Sequence, residues 1–296
     1  MDRLKLPGTK IEISRIGLGC MSLKGDFKYD QSIISAALDG GINFLDTADL
    51  YQNGLNEEIV GAAIQGKRNE IVLATKVGNE MNPDGKGWSW NPRKDYILKA
   101  VEKSLKRLQT DYIDLYQLHG GTLEDSLEET FEAFKMLKSQ GKILAFGISS
   151  IRPNVIRKLM EIHPPTTIMM QYSPLDRRPK ETVFPLLEKT NTRVLVRGAF
   201  AKGLLIDKPK EGFLDFNPSQ VEAMRERIKS FGYSPEAFLI RFGLAQTAVA
   251  SLIIGASSVL QVEKILQGCE ESLIIPTELI ESLKAEFPAN QYQQHR

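Results

Sequence analysis

Eight short runs of apolar, mostly β-branched residues, separated by helix-like stretches, constrain the fold of this chain more than any other feature. The runs fall at 16–19, 42–46, 71–75, 112–118, 143–148, 167–171, 193–197 and 250–254. Most are apolar throughout rather than alternating, the pattern of strands covered on both faces. Helix-like stretches lie near 30–39, 56–65, 93–107, 125–139, 153–161, 181–190, 234–246 and 259–268. In one of them Ile97, Val101, Leu105 and Leu108 share a face, and Pro92 suits its first turn. Such alternation defines an α/β fold, either a closed barrel or a doubly wound sheet. No Pro/Gly/Ser-rich linker divides the 296 residues, so one domain spanning 1–296 is expected, a length that suits a single (β/α)8 TIM barrel. Ahead of the first run, Arg3–Leu6, the turn pair Pro7-Gly8 and Ile11–Ile13 predict a β-hairpin that plugs the barrel bottom. Two segments interrupt the alternation. Residues 77–92 carry Gly78, Gly85, Gly87, Trp88 and Trp90, and 206–230 holds a polar loop followed by a helix from Asn217-Pro218. Long loops of this kind are often binding lids, and Gly85 and Gly87 predict a mobile one.

Composition narrows the functional classes. The net charge is +1, with 42% hydrophobic and 25% charged residues, so no charge bias advertises nucleic acid or a membrane surface. No apolar run approaches the ~20 residues of a membrane span. The first residues lack an apolar signal core, and Cys20 and Cys269 have no metal-type spacing, so a cytoplasmic protein without a metal site is expected. A monomer is the expected state. Gly17-Leu18-Gly19-Cys20-Met21-Ser22 places Ser22 where a Rossmann fingerprint needs its third glycine.

The candidate chemistry lies in Asp46, Tyr51, Lys76 and His119, each at or just past the end of an apolar run. A parallel β/α barrel builds its site at that end of its strands. Taken singly, each has an ordinary reading: Asp46-Thr47 as a helix cap, Tyr51 as packing, Lys76 as a solvated charge, His119 as a structural histidine. Together they fit proton transfer coupled to hydride transfer. A phenol titrates near ~10, too high for an efficient acid at neutral pH, and a neighbouring ammonium lowers that value. Lys76 would supply the ammonium and Asp46 would orient it. Tyr51 would protonate a carbonyl oxygen, and His119 would steer the same oxygen.

These residues sit in words that resemble the aldo-keto reductase family across nearly the whole chain. The words are Arg15-Ile16-Gly17-Leu18-Gly19-Cys20-Met21, Gly41-Ile42-Asn43-Phe44-Leu45-Asp46-Thr47-Ala48-Asp49-Leu50-Tyr51, Ala74-Thr75-Lys76, Leu105-Lys106-Arg107-Leu108 with Asp111-Tyr112-Ile113-Asp114-Leu115, His119, and Gly147-Ile148-Ser149-Ser150. The likeness is greatest to bacterial members with short C-terminal tails. It implies a β/α barrel, a nicotinamide dinucleotide, usually NADP, bound in extended form, and reduction of small-molecule aldehydes or ketones. It also implies the roles just given for Asp46, Tyr51, Lys76 and His119. A second implied reading is a redox-sensing module like the potassium-channel β subunits, in which cofactor occupancy matters more than turnover.

The implied cofactor contacts depart from the family pattern in places. Ser149 and Ser150 stand where the family has Ser-Asn on the carboxamide. The family's carboxamide glutamine falls at Met169, with Gln171 two residues on and on the same strand face. Arg197 holds the place of an aromatic that stacks on the nicotinamide, a role a planar guanidinium can take. Gly198, Ala199, Phe200, Lys202, Gly203 and Leu204 follow as pyrophosphate contacts, through backbone and the Lys202 ammonium. Gly255, Ser257 and Gln261 mark the adenosine end, where relatives carry a basic residue at the Ser257 position and Glu-Asn at Lys264-Ile265. NADP is the expected cofactor and NAD the alternative. Cys20 and Met21, past the first strand, are further candidates, with a buried structural thiol as the other reading of Cys20. The substrate rim is expected from Phe27, Trp88, Trp90 and the 206–217 loop, together with Tyr51 and His119. Aromatic rims suit apolar carbonyl compounds, and the polar 291–296 tail is read as allowing broad specificity.

Overall fold

The computed structural model describes residues 1–296. Two short antiparallel strands, β1 (Arg3–Lys5) and β2 (Glu12–Ser14), form the expected hairpin, with Leu4 opposite Ile13. Eight strands follow in the parallel sheet: β3 (Ile16–Gly19), β4 (Phe44–Asp46), β5 (Val72–Val77), β8 (Ile113–Leu118), β9 (Ile143–Ser149), β10 (Thr167–Gln171), β11 (Arg193–Arg197) and β12 (Val249–Gly255). They pair in chain order, and β12 returns to β3 with Ile254 beside Leu18 and Gly255 beside Gly19. The sheet is therefore a closed barrel, and the doubly wound alternative is excluded.

An outer layer of helices covers it: α1 (Phe27–Asp39), α2 (Leu55–Ala63), α3 (Lys94–Leu108), α4 (Leu127–Ser139), α5 (Pro153–Ile162), α6 (Pro179–Leu187), α7 (Pro218–Ser230), α8 (Pro235–Leu244), α9 (Val259–Ser272) and α10 (Thr277–Glu286). Local chemistry sets their starts. Asp26 caps α1 by accepting from the Tyr29 amide, Ser258 caps α9 by accepting from the Gln261 amide, and Asn217 and Gln220 form a reciprocal capping box on α7. Proline occupies the first turn of α5 to α8, where its missing N–H costs nothing. The helix from Asn217-Pro218 forms as expected. The α10 helix lies in a segment that the strand–helix count did not include. Ile280 and Leu283, three residues apart, bury its inner face.

The barrel has two apolar zones. Outward strand residues pack with the helices in one large shell. Inward residues Phe44, Val72, Ala74, Leu115, Ala145, Met169, Leu195, Ala250 and Ile253 fill the barrel itself, joined from below by Leu6, Ile11 and Ile13. The hairpin thus closes the bottom with three buried aliphatic side chains. Packing in this zone is tight. A Cβ on Gly17 would lie 2.8 Å from Ile253 Cδ1 and 2.9 Å from Phe44 Cδ1, so any side chain there forces the interior apart.

The expected mobile loop over 77–92 takes another form. Residues β6 (Asn79–Met81) and β7 (Trp88–Trp90) pair antiparallel, and Gly85 and Gly87 serve left-handed positions near their turn at φ of 70° and 75°. Side chains reinforce the hairpin: Asn82 donates to the Lys86 carbonyl, and Ser89 donates to Asn82 Oδ1 at 2.8 Å. The glycines are turn chemistry, and the ladder holds the segment in shape. The loop at 206–217 also folds onto the core, with Phe213 and Phe216 buried and bridged to each other.

Candidate active site

Strand parity builds the site. Continuing each inward-facing column toward the C-terminal strand ends passes from Phe44 to Asp46, Ala74 to Lys76, Leu115 to Gln117, Ala145 to Ser149, Met169 to Gln171 and Leu195 to Arg197. The apolar filling gives way there to one polar layer at the barrel mouth. Tyr51, in the turn after β4, and His119, just past β8, complete it.

The side of the mouth built by β4, β5 and β8 is closely bonded. The Lys76 ammonium donates to Asp46 Oδ2 at 2.7 Å, to the Thr47 carbonyl at 2.6 Å and to the Tyr51 hydroxyl at 3.3 Å. Asp46 Oδ1 accepts from Gln117 Nε2 at 3.3 Å. Lys76 is 1% exposed and Asp46 4%, so this ion pair is cut off from solvent. Four residues separated by up to 73 positions therefore meet, and Tyr51 and His119 stand edge to face with ring centroids 6.0 Å apart. Tyr51 is presented by an uncommon turn. Gln52 and Asn53 both adopt left-handed φ, at 50° and 56°, and Gln52 Nε2 donates to the Leu23 carbonyl at 2.8 Å.

Burial dominates the electrostatics. It raises the Asp46 carboxyl, against the pull of Lys76. Burial lowers the Lys76 ammonium, but Asp46 and Tyr51 outweigh it and hold the ammonium above its ordinary value. Burial raises the Tyr51 phenol; Lys76 and, more weakly, Arg197 pull it back without reversing the shift. The expectation that Lys76 lowers this phenol is thus met in the sign of its own effect and overturned in the net. Burial, then Lys76 and Arg197, push His119 down to about 3, which leaves a neutral imidazole at physiological pH.

Gln117 was not among the residues singled out from the sequence. Its signal was there: a glutamine in a mostly apolar strand, two residues before His119 and so on the same face. Asp114, within the Asp-Tyr-Ile-Asp-Leu word, is structural. It accepts from Arg68 at 2.7 Å and from the Leu73 amide at 2.9 Å, tying β8 to β5 from the outer face.

The side built by β9 to β12 is open. Gln171 and Arg197 lie side by side in register. Neither makes a side-chain hydrogen bond or ion pair, although Arg197 is largely buried and its charge reaches Tyr51 and Asp46. Ser149 is buried and likewise unbonded, while Ser150 Oγ accepts from the Arg152 amide. His119 Nδ1 is buried without a partner. Past β11, Gly198, Ala201, Lys202 and Gly203 all take positive φ, coiling the backbone above the strand end. Ala199 and Leu204 turn their side chains into the shell, so only their backbone faces outward chemistry; Phe200 packs against the shell and Lys202 is exposed. At the end of β12, the Ser257 amide and hydroxyl both donate to Gln261 Oε1, at 2.8 and 3.1 Å. The Ser257 donors are thus taken up by Gln261, while the unengaged donors of this side fit a dinucleotide: amide and hydroxyl groups for a carboxamide, a guanidinium plane for a ring, and the remaining backbone N–H groups with a helix start for phosphates.

The remaining candidates divide. Trp90 lines the mouth. Its ring lies against Gly78 and Gly120, next to His119, and its Nε1 donates to Asp125 at 2.9 Å. Both glycines have strongly positive φ, at 125° and 147°, and a Cβ on either would press into the indole. Trp88 is 51% exposed on the outside of the hairpin, Phe27 is 43% exposed at the start of α1, and Met21 is 69% exposed. Cys20 is fully buried in the shell, with its thiol raised by burial and directed 3.8 Å from the Leu18 carbonyl. That burial suits a structural thiol. A surface groove between α5 and α6, lined by Arg157, Met160 and Lys189, contains none of the mouth residues.

The aldo/keto reductase family model matches residues 15–284 of the chain. The chain belongs to the aldo/keto reductase family, an oxidoreductase fold. It is 45% identical to the uncharacterized oxidoreductase YqkF of Bacillus subtilis (strain 168), over the full length of both chains. It is 38% identical to the aldo-keto reductase YhdN of the same organism, over 72% of this chain and 66% of that one. Among solved structures, aldo-keto reductase AKR11C1 from Bacillus halodurans in its holo form superimposes with a TM-score of 0.95 at 45% identity, covering 100% of this chain and 99% of that one. The apo form of the same protein gives 0.87.

Proposed function

We propose that this chain reduces aldehydes or ketones to alcohols, with NADPH as reductant and Tyr51 as proton donor. The observation that carries the reading is the single ammonium of Lys76, buried and bonded to both Asp46 and the Tyr51 hydroxyl. That arrangement has little structural purpose that an apolar core would not serve better, because burying an ion pair costs desolvation. It suits a phenol that must release a proton and bear the resulting charge.

Ser149 and Gln171 would hold the carboxamide, Arg197 would lie on the ring, and the backbone from Gly198 to Leu204 would take the pyrophosphate. The nicotinamide, when bound there, supplies the hydride. The other events belong to this chain's residues. The carbonyl oxygen is received between Tyr51 and the neutral His119. As the carbonyl carbon gains hydride, its oxygen takes the phenolic proton, and the phenolate left on Tyr51 is stabilised by Lys76 and Arg197 until water returns a proton. Burial keeps the phenol protonated beforehand, which is the form reduction requires. NADPH is assigned over NADH because the N-terminal end of α9 is a favourable place for an anion.

The test is NADPH oxidation with a panel of simple aldehydes and ketones, beside fluorescence titrations with NADPH and NADH. Steady turnover is expected, with no substrate preferred over all others by ~10⁴ in kcat/KM. Tight cofactor binding with negligible turnover on every carbonyl would replace this reading with the sensor-like one.

A further inference from the structure

Ser257 stands where a basic residue would face an adenosine phosphate, and the side chains bonded to it, Gln261 and Tyr29, are neutral. A full positive charge is nonetheless held close by, on a neighbouring element. The turn before α1 is fixed at its base by Asp30, which is fully buried and accepts from the Lys24 amide at 3.0 Å and the Gly25 amide at 2.7 Å. From that turn the Lys24 ammonium lies over the Tyr29 ring, 4.7 Å from its centroid. The Tyr29 hydroxyl donates to the Ser257 carbonyl at 3.1 Å. One ring therefore separates the ammonium from the loop that begins α9. Lys24 has no carboxylate partner: Asp26 accepts from the Tyr29 amide at 2.9 Å, and Asp30 accepts from the Lys24 and Gly25 amides. The link is short because β3 and β12, which lead into the two loops, are paired at Gly19 and Gly255.

We propose that Lys24, carried on Tyr29, is the residue by which this chain distinguishes the 2′-phosphate of NADPH from the 2′-hydroxyl of NADH. The proposal rests on the nicotinamide reading given above. Tyr29 does two things: it pins the Ser257 loop, and its face confines a flexible lysine to the side of the mouth where the phosphate must lie. The family's basic position is thereby supplied from α1's leading turn rather than from the α9 loop.

Isothermal titration of the intact protein with NADPH, NADH, 2′,5′-ADP and 5′-AMP tests it. Lys24→Gln should weaken NADPH and 2′,5′-ADP by about tenfold, the size of a hydrogen bond to a charged group, and leave NADH and 5′-AMP within about twofold. Lys24→Arg should retain the preference. Added salt should erode the preference in wild type more than in Lys24→Gln, because the contact is exposed. An unchanged NADPH-to-NADH ratio in Lys24→Gln makes the lysine a solvated ornament and overturns the proposal. Equal weakening of both cofactors places it on the pyrophosphate and overturns it as well. A wild-type protein that binds neither cofactor defeats the nicotinamide reading, and this proposal with it.

Discussion

The two halves of the barrel mouth are built on opposite plans. On the side of β4, β5 and β8, Asp46, Lys76, Tyr51 and Gln117 are bonded to one another in one buried network, with only Gln117 Oε1 and the neighbouring His119 Nδ1 left without partners. On the side of β9 to β12, Ser149, Gln171 and Arg197 carry donors that no protein group accepts. A mutually bonded network fixes geometry before any ligand arrives, which is what proton transfer needs. An unfinished one stores binding capacity, at a cost in stability, until a ligand completes it. The difference separates stability from affinity, and substitutions can break that separation.

The largest effect is expected at Asp46. Asp46→Ala leaves the Lys76 ammonium buried without its partner, so urea unfolding should report a loss of about 3–5 kcal/mol together with collapsed turnover. A loss below 1 kcal/mol would mean that the network is no tighter than a surface pair. His119 comes next and appears as a pH dependence. Its folded pKa, about 3, lies below the ordinary 6.5 of the unfolded chain. The unfolded state therefore binds more protons between those values, and stability rises with pH. The His119 contribution is complete above about pH 6.5 and is lost as pH falls toward 3, at up to about 1.4 kcal/mol per pH unit. Unfolding curves of wild type and His119→Asn across pH 4–7 should differ in slope with that sign, and parallel curves would place the histidine in solvent. The smallest effect on stability is expected in the open half. Arg197→Met should leave the unfolding midpoint unchanged or slightly raised, since the guanidinium has no partner to lose. It should weaken NADPH by about tenfold, as loss of one stacked, charge-bearing contact. Marked destabilisation with unaltered affinity would reverse the assignment of the two halves.

Much of this was legible in the sequence, and unevenly so for physical reasons. The barrel strands were visible because strands buried on both faces must be apolar, and Val249–Gly255 or Ile113–Leu118 cannot be read as anything solvated. Asp46, Lys76 and His119 stood out because a polar side chain ending such a strand has few reasons to be there, and Tyr51 because it follows Asp46 so closely. The hairpin of β6 and β7 was not. Met81 and Trp88 face each other on a ribbon largely exposed to water, so no apolar pattern marks it, and glycine-rich composition reads as a loop. Gln117 was passed over because a glutamine inside an apolar run looks like an interruption until its partner on another strand is known. The net rise of the Tyr51 phenol was likewise invisible, because the depth of burial is a property of the closed barrel rather than of any segment.

The account turns on Tyr51 as the proton donor of a preformed network, and its turnover after removal of one oxygen is the most direct measure. For Tyr51→Phe at saturating NADPH and aldehyde, the account predicts a fall in kcat of ~10²–10⁴ with NADPH affinity unchanged, because the acid is lost and the open half is untouched. Turnover at the wild-type rate in that variant would contradict it.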